Sequence, residues 1–168
     1  SGDENDLIIV SADKDLTQLV SPDTKQLLPP PTANPQLGWR LLDEAGVLEK
    51  FGVPPSGVLD YLSLIGDQSD NIPGLPGVGP KTALKWMEAH GALEGIIENA
   101  GRLTPKRFCS LVYEKRADLL RNRELIRLES DLEFDMCICP PVDLMEMKEI
   151  LLELEMNKSW EETCRRYG

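Results

Sequence analysis

Gly74-Leu75-Pro76-Gly77-Val78-Gly79-Pro80-Lys81-Thr82-Ala83 is the most specific feature of the sequence. Gly77 and Gly79 permit a tight turn whose backbone amides approach an anion without interference from a Cβ. Pro80 suits the first position of a helix, where its missing N–H costs nothing. Lys81 and Thr82 then stand at a helix amino terminus, whose partial positive charge favours anions. A grip of this kind holds phosphates and reads no bases. An ordinary helix-to-helix turn is the plainer alternative, but it does not require Gly-Val-Gly-Pro-Lys in that order. A P-loop is excluded by spacing: its lysine directly follows a glycine, and here Pro80 intervenes before Lys81.

Upstream of this stretch stand two pairs of carboxylates. Asp67 and Asp70, at i and i+3, share a face if their turn is helical. Asp13 and Asp15 follow the apolar run Leu7-Ile8-Ile9-Val10, past the end of a strand, where open α/β folds place their ligands. At i and i+2 on an extended backbone, their side chains point the same way. Four carboxylates meeting in one place repel and raise one another's pKa values. Hard divalent cations such as Mg²⁺ or Mn²⁺ remove that repulsion. Two such ions about 4 Å apart stabilise both the attacking and the leaving oxygen in phosphodiester hydrolysis. Asp13, Asp15, Asp67 and Asp70 are therefore the expected metal ligands and catalytic residues. The alternative is that Asp13 and Asp15 cap a helix near Leu16 while Asp67 and Asp70 serve turns.

Around these motifs the chain divides simply. Leu7–Val10 reads as a buried strand of a parallel sheet, with a second strand around Lys25-Gln26-Leu27-Leu28 and a proline-rich loop from Pro29 to Pro35. Two strands do not complete a sheet, so the chain is expected to be a fragment. From Trp39 the pattern turns helical, with Leu41, Leu42, Ala45 and Leu48 in phase and Gly52-Val53-Pro54-Pro55 as the stop. A second helix starts near Ser56, with Val58, Leu59, Leu62 and Leu64 apolar. After the glycine-rich stretch, helices are expected at about 92–99, 105–122 and 143–155. The last is amphipathic, with Leu144, Met147, Ile150, Leu151 and Leu154 on one face. The fold class expected is α/β and mostly helical, attached to the edge of a parallel sheet.

The chain has 168 residues, enough for one domain with a core, and 41% of them are hydrophobic. Its net charge of −11 disfavours a general affinity for nucleic acid, but the charge is segregated. Residues 1–73 carry 4 basic and 12 acidic side chains, residues 74–128 carry 10 and 6, and residues 129–168 carry 4 and 11. The basic middle implies an anionic partner there. No apolar run approaches the roughly 20 residues a membrane helix needs. The polar start, Ser1 to Asp6, is not a signal peptide. Cys109, Cys137, Cys139 and Cys164 lack metal-finger spacing and read as reduced thiols of a cytoplasmic protein. His90 reads as a helix-terminal or surface residue, and Trp39, Trp86 and Trp160 as core or interface residues.

Ser11-Ala12-Asp13-Lys14-Asp15 with Gln18-Leu19-Val20 resembles the SGDKD…QLV motif of the 5′→3′ exonuclease domain of bacterial DNA polymerase I, a branch of the flap endonuclease family. Gly52-Val53-Pro54-Pro55, Leu64-Ile65-Gly66-Asp67-Gln68-Ser69-Asp70-Asn71-Ile72-Pro73-Gly74 and Val78-Gly79-Pro80-Lys81-Thr82-Ala83 continue the likeness in order. It is dense over residues 7–90, looser to about 134 and faint beyond Asp135. The resemblance implies the edge of a PIN-like, resolvase-like sheet over 1–73, a helix–three-turn–helix DNA-binding region over 74–134, and a helical extension over 135–168. It places Asp13, Asp15, Asp67 and Asp70 in a two-metal cluster, mainly its second site. Gly77, Val78, Gly79, Lys81 and Thr82 would hold the duplex backbone, and main-chain carbonyls of Gly74, Leu75 and Val78 would bind a monovalent cation such as K⁺. Arg102, Lys106, Arg107, Lys115 and Arg116 would extend the DNA track; a solvated helix face is the alternative.

Ala12 departs from the family's glycine without touching a ligand. The family's amino-terminal half, with the remaining metal ligands and a basic helical arch, has no counterpart here. The implied activity is removal of DNA 5′ flaps or primers in replication and repair by a cytoplasmic, nucleoid-associated enzyme, with a polymerase domain in the same polypeptide as an implied partner. The chain alone is expected to bind DNA weakly and cut it poorly. The contrasting reading is a non-catalytic DNA-binding module, which has no reason to keep four aspartates together.

Overall fold

Leu7–Val10 forms β1, paired in parallel with β2, Thr24–Leu28, so that Leu7 lies opposite Thr24 and Val10 opposite Leu27. The computed structural model describes residues 7–129, 131–133 and 143–167. A third strand, β3 at Arg40–Leu42, runs antiparallel along the other edge of β2. Parallel pairing is as expected, but burial is not: Leu7 is 59% and Val10 61% exposed. With β2 on one side and no strand on the other among the described residues, β1 is an edge.

The Arg40–Leu42 segment is strand rather than helix. Its pairing with β2 satisfies the backbone, and the helix begins only where Asp43 caps it, accepting the Gly46 N–H at 2.8 Å. That helix, α1 (Glu44–Phe51), buries Val47 and leaves Leu48 exposed, so the apolar phase is shifted from the one expected. It ends at Gly52 in the left-handed conformation, φ +77°, with the Gly52 N–H on the Leu48 carbonyl at 2.8 Å.

Helix α2, Pro55–Ile65, is the centre of the core. Val58, Tyr61, Leu62 and Leu64 are all buried, and α2 packs on α3 (Pro80–His90), α6 (Arg116–Ile126) and the 3₁₀ turn at Asp15–Leu19. A helix apolar on most sides belongs inside. Buried Asn122 of α6 donates to the carbonyls of Ser63 at 3.3 Å and Pro73 at 2.7 Å, tying α2 and the end of the carboxylate loop to one side chain. Asp60 of α2 caps α4 (Leu93–Glu98) by accepting the Leu93 N–H at 2.9 Å. Arg123 ion-pairs with Asp60 at 3.0 Å and with Glu94.

The segment expected as one helix over 105–122 is broken. A 3₁₀ turn at Lys106–Phe108 leads into α5, Cys109–Glu114; Lys115 departs from helical geometry, and α6 runs to Ile126. The break lets Phe108 meet Trp86 edge-on, ring centroids 5.5 Å apart, while α6 packs along α2. Trp86 also donates its indole N–H to the Thr104 carbonyl at 2.8 Å, so it is a core residue. Trp39 is not: it is exposed, just ahead of β3.

Backbone contacts group Ser1–Ser130 as one compact unit and Asp131–Gly168 as a second. In the second unit, Asp143 caps α7 (Leu144–Glu153), which packs against α8, Asn157–Tyr167, a helix that the sequence reading did not anticipate. Cys137 and Cys139 lie outside the described residues. No described helix is long and apolar enough to cross a membrane.

Candidate functional site

Past β1 the chain turns through Ser11-Ala12-Asp13, and the turn is built by buried polar atoms. Gln26 of β2, fully buried, donates to the carbonyls of Ser11 at 3.0 Å and Asp13 at 2.7 Å. Lys14 is already helical in backbone, and Thr17 fixes it by donating its hydroxyl to the Lys14 carbonyl at 2.6 Å. The backbone is therefore not extended at 13–15, and the two aspartates diverge. Asp13 is exposed and accepts the Asp15 N–H at 3.0 Å. Asp15, half-buried, turns inward.

Asp67 and Asp70 are presented by a loop that is not helical either. Gly66–Asp67 (β4) pairs antiparallel with Ile72–Pro73 (β5), and residues 68–71 form the turn, closed by Asn71 at φ +56°. The ladder is pinned at its root, where a Cβ on Gly74 would stand 2.2 Å from the Ile65 carbonyl carbon and oxygen. One carboxylate oxygen each from Asp15, Asp67 and Asp70 then lie within 4.8 Å of one another; Asp13 is outside this group.

Lys14 and Ser69 complete the cluster. Lys14 forms an ion pair with Asp67 and donates to the Ser69 hydroxyl at 2.8 Å. Ser69 in turn donates to Asp67 Oδ1 from its hydroxyl at 2.6 Å and its N–H at 3.0 Å. Burial pushes the Asp67 carboxyl up, but these hydrogen bonds and the Lys14 charge outweigh it and hold it at about 2. Asp15 goes the other way: burial raises it, against Lys14, and the charges of Asp13, Asp67 and Asp70 add to the rise. A buried Asp15 oxygen has no hydrogen-bond partner, and a buried Asp67 oxygen meets only the Lys14 charge. Three carboxylates with convergent oxygens, one of them carrying a buried oxygen without a donor and another balanced only by a lysine, fit a hard divalent cation. Sequence reasoning missed Lys14, Ser69 and Gln26. The first two sit between expected ligands, which was the available signal; Gln26 left none.

Pro73 runs straight into the glycine-rich turn. The Leu75 N–H reaches the Leu64 carbonyl at 2.9 Å, the Val78 N–H reaches the Leu75 carbonyl at 3.0 Å, and the Leu75 and Val78 side chains are buried. Gly77 is left-handed, φ +76°, and Gly79 has open space where a Cβ would stand. Helix α3 starts at Pro80 as expected, with no side-chain cap, leaving Lys81 exposed beside its amino terminus. A Cβ on Gly77 would lie 3.7 Å from the Phe108 ring, so Lys106 and Arg107 flank the same turn. Arg107 stacks on that ring at 4.7 Å. Among the described residues, Lys81, Arg102, Lys106, Arg107 and Arg116 pair with no carboxylate, whereas Lys115 is held by Asp118 at 3.0 Å.

Against known proteins, the profile of the family described as 5′-3′ exonuclease, C-terminal SAM fold, matches residues 53–150. The chain is 37% identical over 153 residues to a 5′-3′ exonuclease of Aquifex aeolicus, covering 88% of this chain and 49% of that protein. It is 40% identical over 126 residues to DNA polymerase I of Mycobacterium leprae, covering 75% of this chain and 13% of that protein. It thus spans half or less of these curated relatives. Among solved structures, the D15 protein of bacteriophage T5 co-crystallised with metal ions superposes with a TM-score of 0.62 at 19% identity, over 73% of this chain and 43% of that one. The same phage's D15 flap endonuclease in complex with DNA and metal ions gives a TM-score of 0.63. These two likenesses speak to fold, and the profile and the curated relatives speak to descent: the chain belongs to the 5′-3′ exonuclease family, and carries its C-terminal SAM fold.

Proposed function

We propose that this chain forms the carboxyl part of a metal-dependent, structure-selective 5′→3′ nuclease that removes 5′ flaps and primers from DNA during replication and repair. The parent protein is a cytoplasmic DNA polymerase I or a free-standing homologue. The observation that carries this is the adjacency of two devices: the Asp15, Asp67 and Asp70 oxygens lie within 4.8 Å, and β5 leads from their loop directly into the glycine turn. Residues 1–73 supply carboxylates, 74–134 the grip, and 135–168 an extension.

Asp15, Asp67 and Asp70 would hold Mg²⁺ or Mn²⁺, with Asp13 outside the group they form. Bound divalent cations supply charge stabilisation to the attacking and leaving oxygens of the phosphodiester. Ser69 and Lys14 fix Asp67 before substrate arrives. The α3 amino terminus and Lys81 draw the non-bridging phosphate oxygens, with Gly77, Val78, Gly79 and Thr82 shaping the turn and Lys106 and Arg107 extending it. The carbonyls of Gly74, Leu75 and Val78 would bind K⁺. The rest of the metal ligands come from an amino-terminal part of the same nuclease.

The decisive experiment uses a labelled 5′-flap substrate and the chain joined to the amino-terminal part of a relative. Mg²⁺-dependent cleavage that EDTA abolishes is expected. A joined protein that binds flaps yet never cuts them leaves the second reading, a backbone-gripping module without catalysis. That reading draws on Asp13 standing apart from the other three carboxylates.

A further inference from the structure

The ammonium group of Lys14 lies where a cation serves the carboxylate cluster. It ion-pairs with Asp67, donates to Ser69 at 2.8 Å, and comes from the residue next to Asp15. Asp67 is almost wholly buried, with a side chain 3% exposed, while Lys14 keeps 32% of its own side chain in solvent. The aspartate is therefore a fixed element of the fold and the lysine a removable one: its long stem can swing outward without opening the core. Ser69 already holds Asp67 Oδ1, so a divalent cation bridging Asp15, Asp67 and Asp70 would take the other Asp67 oxygen, the one that Lys14 now touches. Two cations a few Å apart also repel each other strongly in a partly desolvated site.

We infer that Lys14 is a built-in counterion of the metal centre, neutralising Asp67 while the site is metal-free and displaced when a divalent cation binds. This inference rests on the metal-centre reading given above. The ion pair keeps the carboxylates from repelling one another in the metal-free protein. It also weakens metal binding by the free energy of breaking it, so Lys14 sets the metal concentration at which the centre fills. Ser69 stays on Asp67 through the exchange, because its two hydrogen bonds go to the other carboxylate oxygen.

The test is Mn²⁺ binding by calorimetry to the full chain, comparing the wild type with Lys14→Met and Lys14→Arg. Removing a unit charge a few Å from the site is worth more than a factor of ten in affinity, so Lys14→Met should bind Mn²⁺ at least about tenfold tighter. In EDTA the same variant should melt lower than the wild type, and Mn²⁺ should raise its melting temperature by more. Lys14→Arg should restore wild-type affinity. Unchanged or weaker binding in Lys14→Met, with the wild type binding, overturns the inference and leaves the metal centre standing; so does a Lys14→Arg protein that behaves like Lys14→Met. Binding by Lys14→Met alone supports it. Absence of binding in both removes the metal centre and the inference together. If Lys14→Met fails to fold, the ¹³Cε resonance of Lys14 in lysine-labelled wild type decides. A shift on saturation with Mg²⁺ supports displacement, and a resonance that stays fixed while Mg²⁺ binds contradicts it.

Discussion

The loop that carries Asp67 and Asp70 runs directly into the glycine turn, yet the carboxylate cluster and the turn are built on opposite principles. The turn is local: residues 74–83 make their own hydrogen bonds, with Leu64 and Phe108 as outside supports. The cluster is assembled from afar: Lys14 meets Ser69 and Asp67 across more than 50 positions, and Gln26 on a neighbouring strand sets the turn that aims Asp15. The proposed grip can therefore tolerate changes around it that the proposed metal centre cannot. The cluster depends on the root shared with the turn, at Gly66 and Gly74.

The largest effect is expected at that root. Gly74→Ala would place a methyl group 2.2 Å from the Ile65 backbone, which cannot move as a side chain can. A loss of about 3 kcal/mol or more is expected in urea unfolding, the scale of severe backbone and packing conflicts. Gly79→Ala, with nothing within 4 Å of the new Cβ, should cost less than about 1 kcal/mol of stability and still reduce DNA affinity. Equal losses at the two glycines would erase the contrast between a packed root and an open grip.

Next in size is Asn122→Ala. Two carbonyls, of Ser63 and Pro73, lose their donor inside the protein, and about 2 kcal/mol of destabilisation is expected. Because Pro73 closes the carboxylate loop, metal affinity should fall with stability, which calorimetry on the variant would show.

Acid should then act on the cluster before the turn. The Asp67 carboxyl is held at about 2 in the folded chain against an ordinary 3.8. A depressed carboxyl stabilises the fold above its unfolded value, and that contribution fades as pH falls from about 4 towards 2. Metal-free thermal unfolding followed over this range should show a loss that Asp67→Asn lacks. The smallest change in stability belongs to Lys81→Ala: within about 0.5 kcal/mol of wild type, with weaker DNA binding, little sequence preference and a salt slope shallower by about one.

The same contrast explains what the sequence made legible. Gly77, Pro80 and the start of α3 were readable because turn and capping chemistry is local, and Asp67 and Asp70 were readable as carboxylates on a loop. The geometry of the cluster was not. Lys14 takes helical backbone because Thr17 and Gln26 hold it there, and that turned Asp13 away from Asp15. Arg40–Leu42 went to strand because β2 offered hydrogen bonds, a tertiary decision that overrides helical spacing. The split at Lys115 likewise serves two packing partners, Trp86 and α2, that no window of sequence contains together.

Two single substitutions measured side by side probe the division of labour most directly, in the joined nuclease on a 5′-flap substrate. Asp70 is exposed in the carboxylate cluster proposed to hold metal, and Lys81 is exposed at the turn proposed to grip DNA. Asp70→Asn should lower the Mg²⁺-dependent cleavage rate at saturating DNA while affinity stays within about threefold of wild type. Lys81→Ala should do the reverse, weakening affinity with the saturated rate kept. A pair of variants that both lose affinity and keep rate, or both lose rate and keep affinity, would contradict the assignment of chemistry to one region and binding to the other.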